Sequence, residues 1–315
     1  MVIVCIALGK GAMKFGIDLG GTKIEIAVLD DDGRIVYRER VATPAGDYDG
    51  TLAAIAALLR NAESVHGPAQ AVGIGTPGSL SRATGFLKNS NSIWLNGRNL
   101  PDDLRRTLGR PVRIANDANC FALSEAVDGA AVGAGIVFGV ILGTGVGGGL
   151  VVNGRVVDGP NGITGEWGHN PLGLGSHLGR DTPRPCYCGR LGCVETVLSG
   201  PALAADHAWA MGVKKEVQMS AEHVAEHAQA GEPACIKTME RYVQHLAQAL
   251  AVVINIVDPD VIVLGGGLSN IAILYEQVPR LWDEWVFSDE VHTRLVRNLH
   301  GDSSGVRGAA WLAAS

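Results

Sequence analysis

Phe15-Gly16-Ile17-Asp18-Leu19-Gly20-Gly21-Thr22-Lys23 opens a pattern that Phe138-Gly139-Val140-Ile141-Leu142-Gly143 repeats. Each stretch reads as an apolar strand running into a glycine turn. A strand, a hairpin signal and another strand follow each copy. After the first they are Lys23–Leu29, Asp30-Asp31-Asp32-Gly33 and Arg34–Thr43. After the second they are Gly149–Val152, Asn153-Gly154 and Arg155–Val157, with Asn-Gly predicting a type I′ turn. The match reaches into both flanking strands. A duplicated α/β unit therefore accounts for it better than two coincident hairpins.

The remaining segments extend this frame. Residues 49–65 have helical spacing, with Leu52, Ile55, Ala56, Leu58, Leu59 and Ala62 on one face. Residues 71–76 read as a buried strand, 102–108 as a short helix, and 112–115 as a strand running into Asn116-Asp117. A helix over 119–127 follows. Residues 233–257 form the longest expected helix; it feeds a strand at 261–264, and a small-residue helix at 303–314 ends the chain. The expected domains are a small α/β domain at 13–118, completed by the helix at 303–315, and a large one at 119–302.

The 315 residues are more than one core usually supports. Hydrophobic residues make up 47% and charged residues 18%, a globular balance that excludes a disordered chain. The formal net charge is −6 and no Lys/Arg run offers a phosphate-backbone footprint, so nucleic acid is not an expected partner. No apolar stretch reaches the ~18 residues a membrane span needs. Val2–Leu8 is a short apolar run without a basic lead or a cleavage site, so Met1–Ala12 reads as an extension rather than an export signal. The expected compartment is the cytoplasm.

Three glycine turns follow strands. In Asp18-Leu19-Gly20-Gly21-Thr22-Lys23, the N–H groups and the Thr22 hydroxyl can donate to phosphate oxygens, Lys23 adds charge, and Asp18 can hold hydrated magnesium. Gly143-Thr144-Gly145-Val146-Gly147-Gly148-Gly149 reads as a second turn offering the same donors from the second copy. Gly265-Gly266-Gly267 suits a flat base or ribose. One such turn is more often simply a tight hairpin; three, each after a strand, point to a nucleotide. The glycines at 145, 147 and 149 imitate a dinucleotide fingerprint, but a strand rather than a helix follows them. Asp117 lies at a strand's carboxyl end and opens a helix. It is either an N-cap or a general base, and the phosphate turns favour the base.

Cys186, Cys188 and Cys193 place three thiols within eight residues. In a reducing compartment that favours metal over disulfide. His169 is the candidate fourth ligand of a closed, structural zinc site. Glu166 and Glu195 flank the cluster as candidate sugar contacts, with solvated loop charges as the alternative.

Taken together, Asp18–Lys23, Asn116–Asn119, Gly143–Gly149, Glu166-Trp167-Gly168-His169, Cys186–Glu195 and Leu264–Gly267 resemble the ROK family (repressor, open reading frame, kinase), in order from about Lys14 onward. The resemblance implies an α/β, actin-like ATPase (ribonuclease H-like) fold with two duplicated domains and a cleft between them. It implies ATP, Mg2+ and a structural Zn2+. Asp117 would be the catalytic base, and Asn116, Glu166, His169 and Glu195 would contact the sugar. His169, Cys186, Cys188 and Cys193 would bind zinc, with His169 able to serve both roles. Within the family, 88–97, 165–172 and 300–311 look most like bacterial fructokinases, so fructose is the expected acceptor. N-acetylglucosamine kinase and glucokinase are the alternatives. A homodimer is usual among such proteins. A sugar-sensing repressor needs a helix-turn-helix domain ahead of the core, for which the thirteen residues before Lys14 are too few.

Overall fold

The computed structural model describes residues 13–172, 183–214 and 218–314. The apolar run at 2–8 lies outside them. Two units divide the chain: residues to Cys120 together with Gly305–Ser315, and Phe121–Ser304. Each has its own apolar core.

In the first unit, β1 (Lys14–Leu19), β2 (Lys23–Leu29) and β3 (Ile35–Ala42) form an antiparallel meander. α1 (Tyr48–His66) packs Leu52, Ile55 and Leu59 into the core, and the Asp47 side chain caps it by accepting from the Gly50 N–H at 2.9 Å. β4 (Val72–Thr76) joins β1 in parallel. A two-residue-stranded hairpin, β5 (Ser79–Leu80) and β6 (Leu87–Lys88), precedes α2 (Leu100–Leu108) and β7 (Val112–Asn116). The sheet order is β3-β2-β1-β4-β7. α3 (Asp117–Val127) leads onward from β7.

The second unit repeats this plan. β8 (Ile136–Leu142), β9 (Val146–Val152) and β10 (Arg155–Val156) form the meander. The turn between β9 and β10 has φ of 50° at Asn153 and 71° at Gly154, the positive pair a type I′ turn requires. α4 (Glu195–Leu198), α5 (Gly200–Ala210), α6 (Ala221–Gln229) and α7 (Pro233–Val257) follow. Next come β11 (Val261–Gly265), α8 (Ile273–Arg280) and β12 (Arg294–Arg297). The order β10-β9-β8-β11-β12 matches the first sheet strand for strand, with the same parallel and antiparallel pairings. The duplication read from the sequence is thus a duplication of topology. α9 (Ser304–Ala314) ends the chain and packs in the first unit. No helix among the described residues is long and apolar enough to cross a membrane.

The repeated Phe-Gly pair has one physical cause. A Cβ on Gly16 would lie 2.3 Å from the Ala310 nitrogen, and one on Gly73 would lie 1.7 Å from the Ala309 oxygen. α9 therefore lies with its backbone directly on β1 and β4. In the second unit a Cβ on Gly139 would meet Ala122 Cβ at 2.7 Å, and one on Gly265 would meet the Phe121 ring at 2.5 Å. α3 lies on β8 and β11 through these small or flat side chains.

One expectation needs correction. Residues 143–149 are not a single turn: only 143–145 turn, and Gly147, Gly148 and Gly149 belong to β9. Gly148 is small because the Gly165–Trp167 segment presses on that strand. A Cβ on Gly148 would lie 2.6 Å from Trp167 Cδ1, and Trp167 Nε1 donates to the Gly147 carbonyl at 3.0 Å.

Gly73→Ala tests the seam under α9. Backbone atoms cannot swing aside as a flexible side chain does, so a loss of at least about 2 kcal/mol is expected in urea unfolding. An unchanged midpoint would contradict the close approach.

Candidate active site

The first unit gathers Asp18, Asn116 and Asp117 from adjacent elements. β1 and β4 are parallel neighbours, as are β4 and β7, so the carboxyl ends of β1 and β7 lie at the same edge of the sheet. Asn116 does the capping that Asp117 might have done: its Oδ1 accepts from the Asn119 N–H at 2.8 Å. Asp117 is left as the first helical residue, with Oδ1 accepting from the Ala118 N–H at 2.8 Å. Burial pushes the Asp117 carboxyl up, and backbone N–H groups pull it partly back. Burial first, and then the charges of Asp117 and Glu25, push Asp18 up to about 6, against the opposing pull of Lys23 and Arg40. A buried carboxyl raised partly by a neighbouring carboxylate fits a cation held beside the pair. Glycines leave room around Asp18: a Cβ on Gly305 would lie 3.2 Å from Oδ2, and one on Gly75 would lie 3.6 Å from Oδ1.

The glycine turns differ in what they offer. Gly20 N–H already donates to the Lys23 carbonyl at 3.0 Å, and Gly143 N–H to the Gly145 carbonyl at 3.0 Å. Donors to a phosphate must come from other groups of these turns. Nothing lies within 4 Å of where a Cβ on Gly143 would sit, so no contact within the protein demands a glycine there. That is the cradle a ligand group would fill. The third turn is different. Gly265 makes way for Phe121, and Gly266 has φ of 79° with its Cβ position 2.4 Å from the Leu142 oxygen. Both answer to internal packing, while a Cβ on Gly267 would make only an ordinary contact, 3.8 Å from Glu222 Oε1.

The second unit gathers Glu195, His169 and the three thiols. Residues 184–194 fold back as a knuckle: Cys186 N–H donates to the Arg190 carbonyl, and Gly192 N–H to the Arg184 carbonyl. Gly189 and Gly192 take positive φ in it. Bonds from Leu172 N–H to the Gly192 carbonyl and from Val194 N–H to the Asn170 carbonyl then bring His169 beside the knuckle. The donor atoms of His169, Cys186, Cys188 and Cys193 all lie within 4.8 Å of one another. Cys186 Sγ is 3.6 Å from His169 Nδ1, and Cys188 Sγ is 3.6 Å from Cys193 Sγ. Ligands of a tetrahedral ion stand about 3.5–3.8 Å apart, while bonded sulfurs are about 2.0 Å apart. The spacing fits a metal and excludes a Cys188–Cys193 disulfide. Burial pushes Cys193 up to about 12 and raises Cys186 as well. Three thiols this close become thiolates together only around a cation.

Glu195 opens α4, and its Oε2 accepts from the Val146 N–H at 3.0 Å. A Cβ on Gly145 would lie 2.7 Å from that oxygen, so Gly145 is small for the sake of Glu195 as much as for any phosphate. Glu166 sits at the start of the Trp167–His169 turn. His169 has both ring nitrogens occupied, Nδ1 toward Cys186 and Nε2 at 3.0 Å from the Tyr187 hydroxyl. Sequence reading missed Tyr187 because it lies between two ligands and had no pattern of its own.

Solved structures share this architecture. A ROK hexokinase from Thermus thermophilus aligns at a TM-score of 0.84 and 32% identity, over 96% of this chain and 98% of its own. A ROK family glucokinase from Streptomyces griseus aligns at 0.75 and 28%, over 96% and 99%. These likenesses, together with the family and relative that follow, make the chain an ATP-dependent sugar kinase of actin-like fold. It belongs to the ROK family, whose model matches residues 14–315. An N-acetyl-D-glucosamine kinase of Yersinia pseudotuberculosis is 41% identical over 303 residues, covering 95% of this chain and 98% of the relative.

The raised Asp18 carboxyl has a signed consequence. Between pH 4 and 6 the folded chain keeps a proton that the unfolded chain releases, so this group favours folding at the acid end and opposes it above pH 6. Asp18→Asn is expected to stabilise the metal-free protein on the order of 1–3 kcal/mol at pH 7.5. Thermal melts should show the gain shrinking toward pH 4.5. A loss of stability at pH 7.5 would contradict the assignment.

Proposed function

We propose that the chain phosphorylates N-acetylglucosamine, with Asp117 as general base. What carries the sugar assignment is 41% identity along nearly the whole chain to N-acetyl-D-glucosamine kinases. The likeness to fructokinases rests on three short stretches, so fructose, the first expectation, gives way to the alternative. The Asp117 carboxylate takes the proton of the acceptor hydroxyl. The hydroxyl oxygen forms a bond to the γ-phosphorus of ATP while the bond from that phosphorus to the ADP oxygen breaks. Magnesium, held through water by Asp18, would neutralise phosphate charge. The turns at 20–23 and 143–145 would orient the phosphates, and the turn at 265–267 would lie against the nucleoside. Asn116, Glu166, His169 and Glu195 would hold the sugar. Zinc is the ion we assign to His169, Cys186, Cys188 and Cys193, since a thiolate-rich four-ligand set suits it and leaves no open position for chemistry.

An ADP-release assay across N-acetylglucosamine, N-acetylmannosamine, glucose, mannose and fructose is the direct test. The highest kcat/KM is expected for N-acetylglucosamine; a preference for fructose would overturn the reading. Asp117→Asn should fold normally and lose about 10²–10⁴ in kcat. Elemental analysis of protein purified without chelator should find one zinc per chain, as the four-ligand site requires about one ion. Metal-free, fully active protein would remove zinc from the scheme.

A further inference from the structure

Arg184 stands at the entrance of the cysteine knuckle, and its guanidinium reaches two helices. Nη1 donates to the carbonyls of Thr196 in α4 at 3.0 Å and Ala202 in α5 at 2.9 Å. Nη2 donates to Asp206 Oδ1 in α5 at 3.0 Å. The other oxygen of Asp206 accepts from Nε and Nη2 of Arg241 in α7, at 2.9 and 2.7 Å. Arg241 also donates to Thr238 Oγ1 at 3.1 Å. The charged side chains are only 18–22% exposed, so water competes weakly for these bonds.

The main chain of Arg184 works on the other side of the same segment. Its carbonyl accepts from Gly192 N–H at 2.9 Å, next to Cys193. The Cys193 carbonyl in turn accepts from Thr196 N–H at 2.9 Å and Thr196 Oγ1 at 2.7 Å. One residue therefore grips the chain just before Cys193 and just after Glu195. We infer that Arg184 is a positioning residue for Glu195: it fixes the first turn of α4, and with it the carboxylate, against α5 and α7 independently of any ion among the thiols. The sugar-binding part of this inference rests on the reading of Glu195 given above.

Arginine suits the task because its planar fork serves three acceptors at once, which a lysine ammonium does not. Removing it is also informative. Asp206 keeps both bonds from Arg241, so Arg184→Ala strands no buried carboxylate and the chain should still fold. Two carbonyls lose their donor, and the turn carrying Glu195 slackens.

Arg184→Ala and Arg184→Lys are to be compared with the wild type by three measurements. The KM for N-acetylglucosamine should rise about tenfold in Arg184→Ala while the KM for ATP holds within about twofold. Arg184→Lys should recover only part of the loss. Zinc content should stay at the wild-type level. Amide hydrogen exchange should quicken at 186–199 and remain unchanged in α7 and β8. Equal rises in both KM values, loss of zinc, or unaltered exchange at 186–199 would each overturn the inference. Should the wild type turn over none of the sugars, the functional reading fails by itself. The exchange experiment then decides the positioning role, with quickening confined to 186–199 supporting it.

Discussion

Direct contact between helix backbone and sheet is the constraint on which the rest depends. α9 lies on Gly16 and Gly73, and α3 lies on Gly139 and Gly265. Backbone meets backbone under α9, while the Ala122 methyl and the Phe121 ring fill the glycine gaps under α3. In the first unit α9 is also held against the start of α3, since a Cβ on Gly308 would lie 1.7 Å from the Cys120 carbonyl. The site residues inherit this rigidity. Asp18 ends the strand under α9, and Asp117 begins the helix that α9 touches. A small change in either seam would move a carboxylate, and phosphoryl transfer depends on placement more than on any other protein contribution.

The two units solve the same electrostatic problem with different chemistry. In the first, burial and the neighbouring Asp117 raise the Asp18 carboxyl, a setting a hard cation with oxygen ligands would complete. In the second, the crowded thiols and His169 form a set that an ion suited to sulfur would complete. Glu195 joins the thiol knuckle to the start of β9 through one hydrogen bond, from Val146 N–H to its Oε2.

Much of this was legible in the sequence. The duplicated strand–turn–strand frame emerged from Phe15–Gly20 and Phe138–Gly143, because period-two apolar runs ending in glycine have few other readings. The Asn153-Gly154 turn and the helix at 233–257 were equally plain. Residues 143–149 were not. Glycine signals both a turn and a strand pressed by a neighbour, and only the position of Trp167 distinguishes them. The role of Asn116 as the cap, which releases Asp117, was beyond pattern, since both residues have cap chemistry. Arg184 gave no signal either: its partners Asp206 and Arg241 are distant in the chain, and nothing local marks them as neighbours.

Because α9 completes the first unit from the far end of the chain, order of synthesis and order of assembly diverge. Residues 121–304 form a contiguous unit and can finish folding as they leave the ribosome. The first unit, though begun earlier, waits with an uncovered glycine seam on β1 and β4 until the last eleven residues emerge. Closing that long loop costs little more than closing a shorter one, because the entropy grows only logarithmically with length. The delay is a matter of time rather than free energy. During it the sheet lacks the helix that covers its glycine seam, so the first unit is completed by a segment made after the whole of the second.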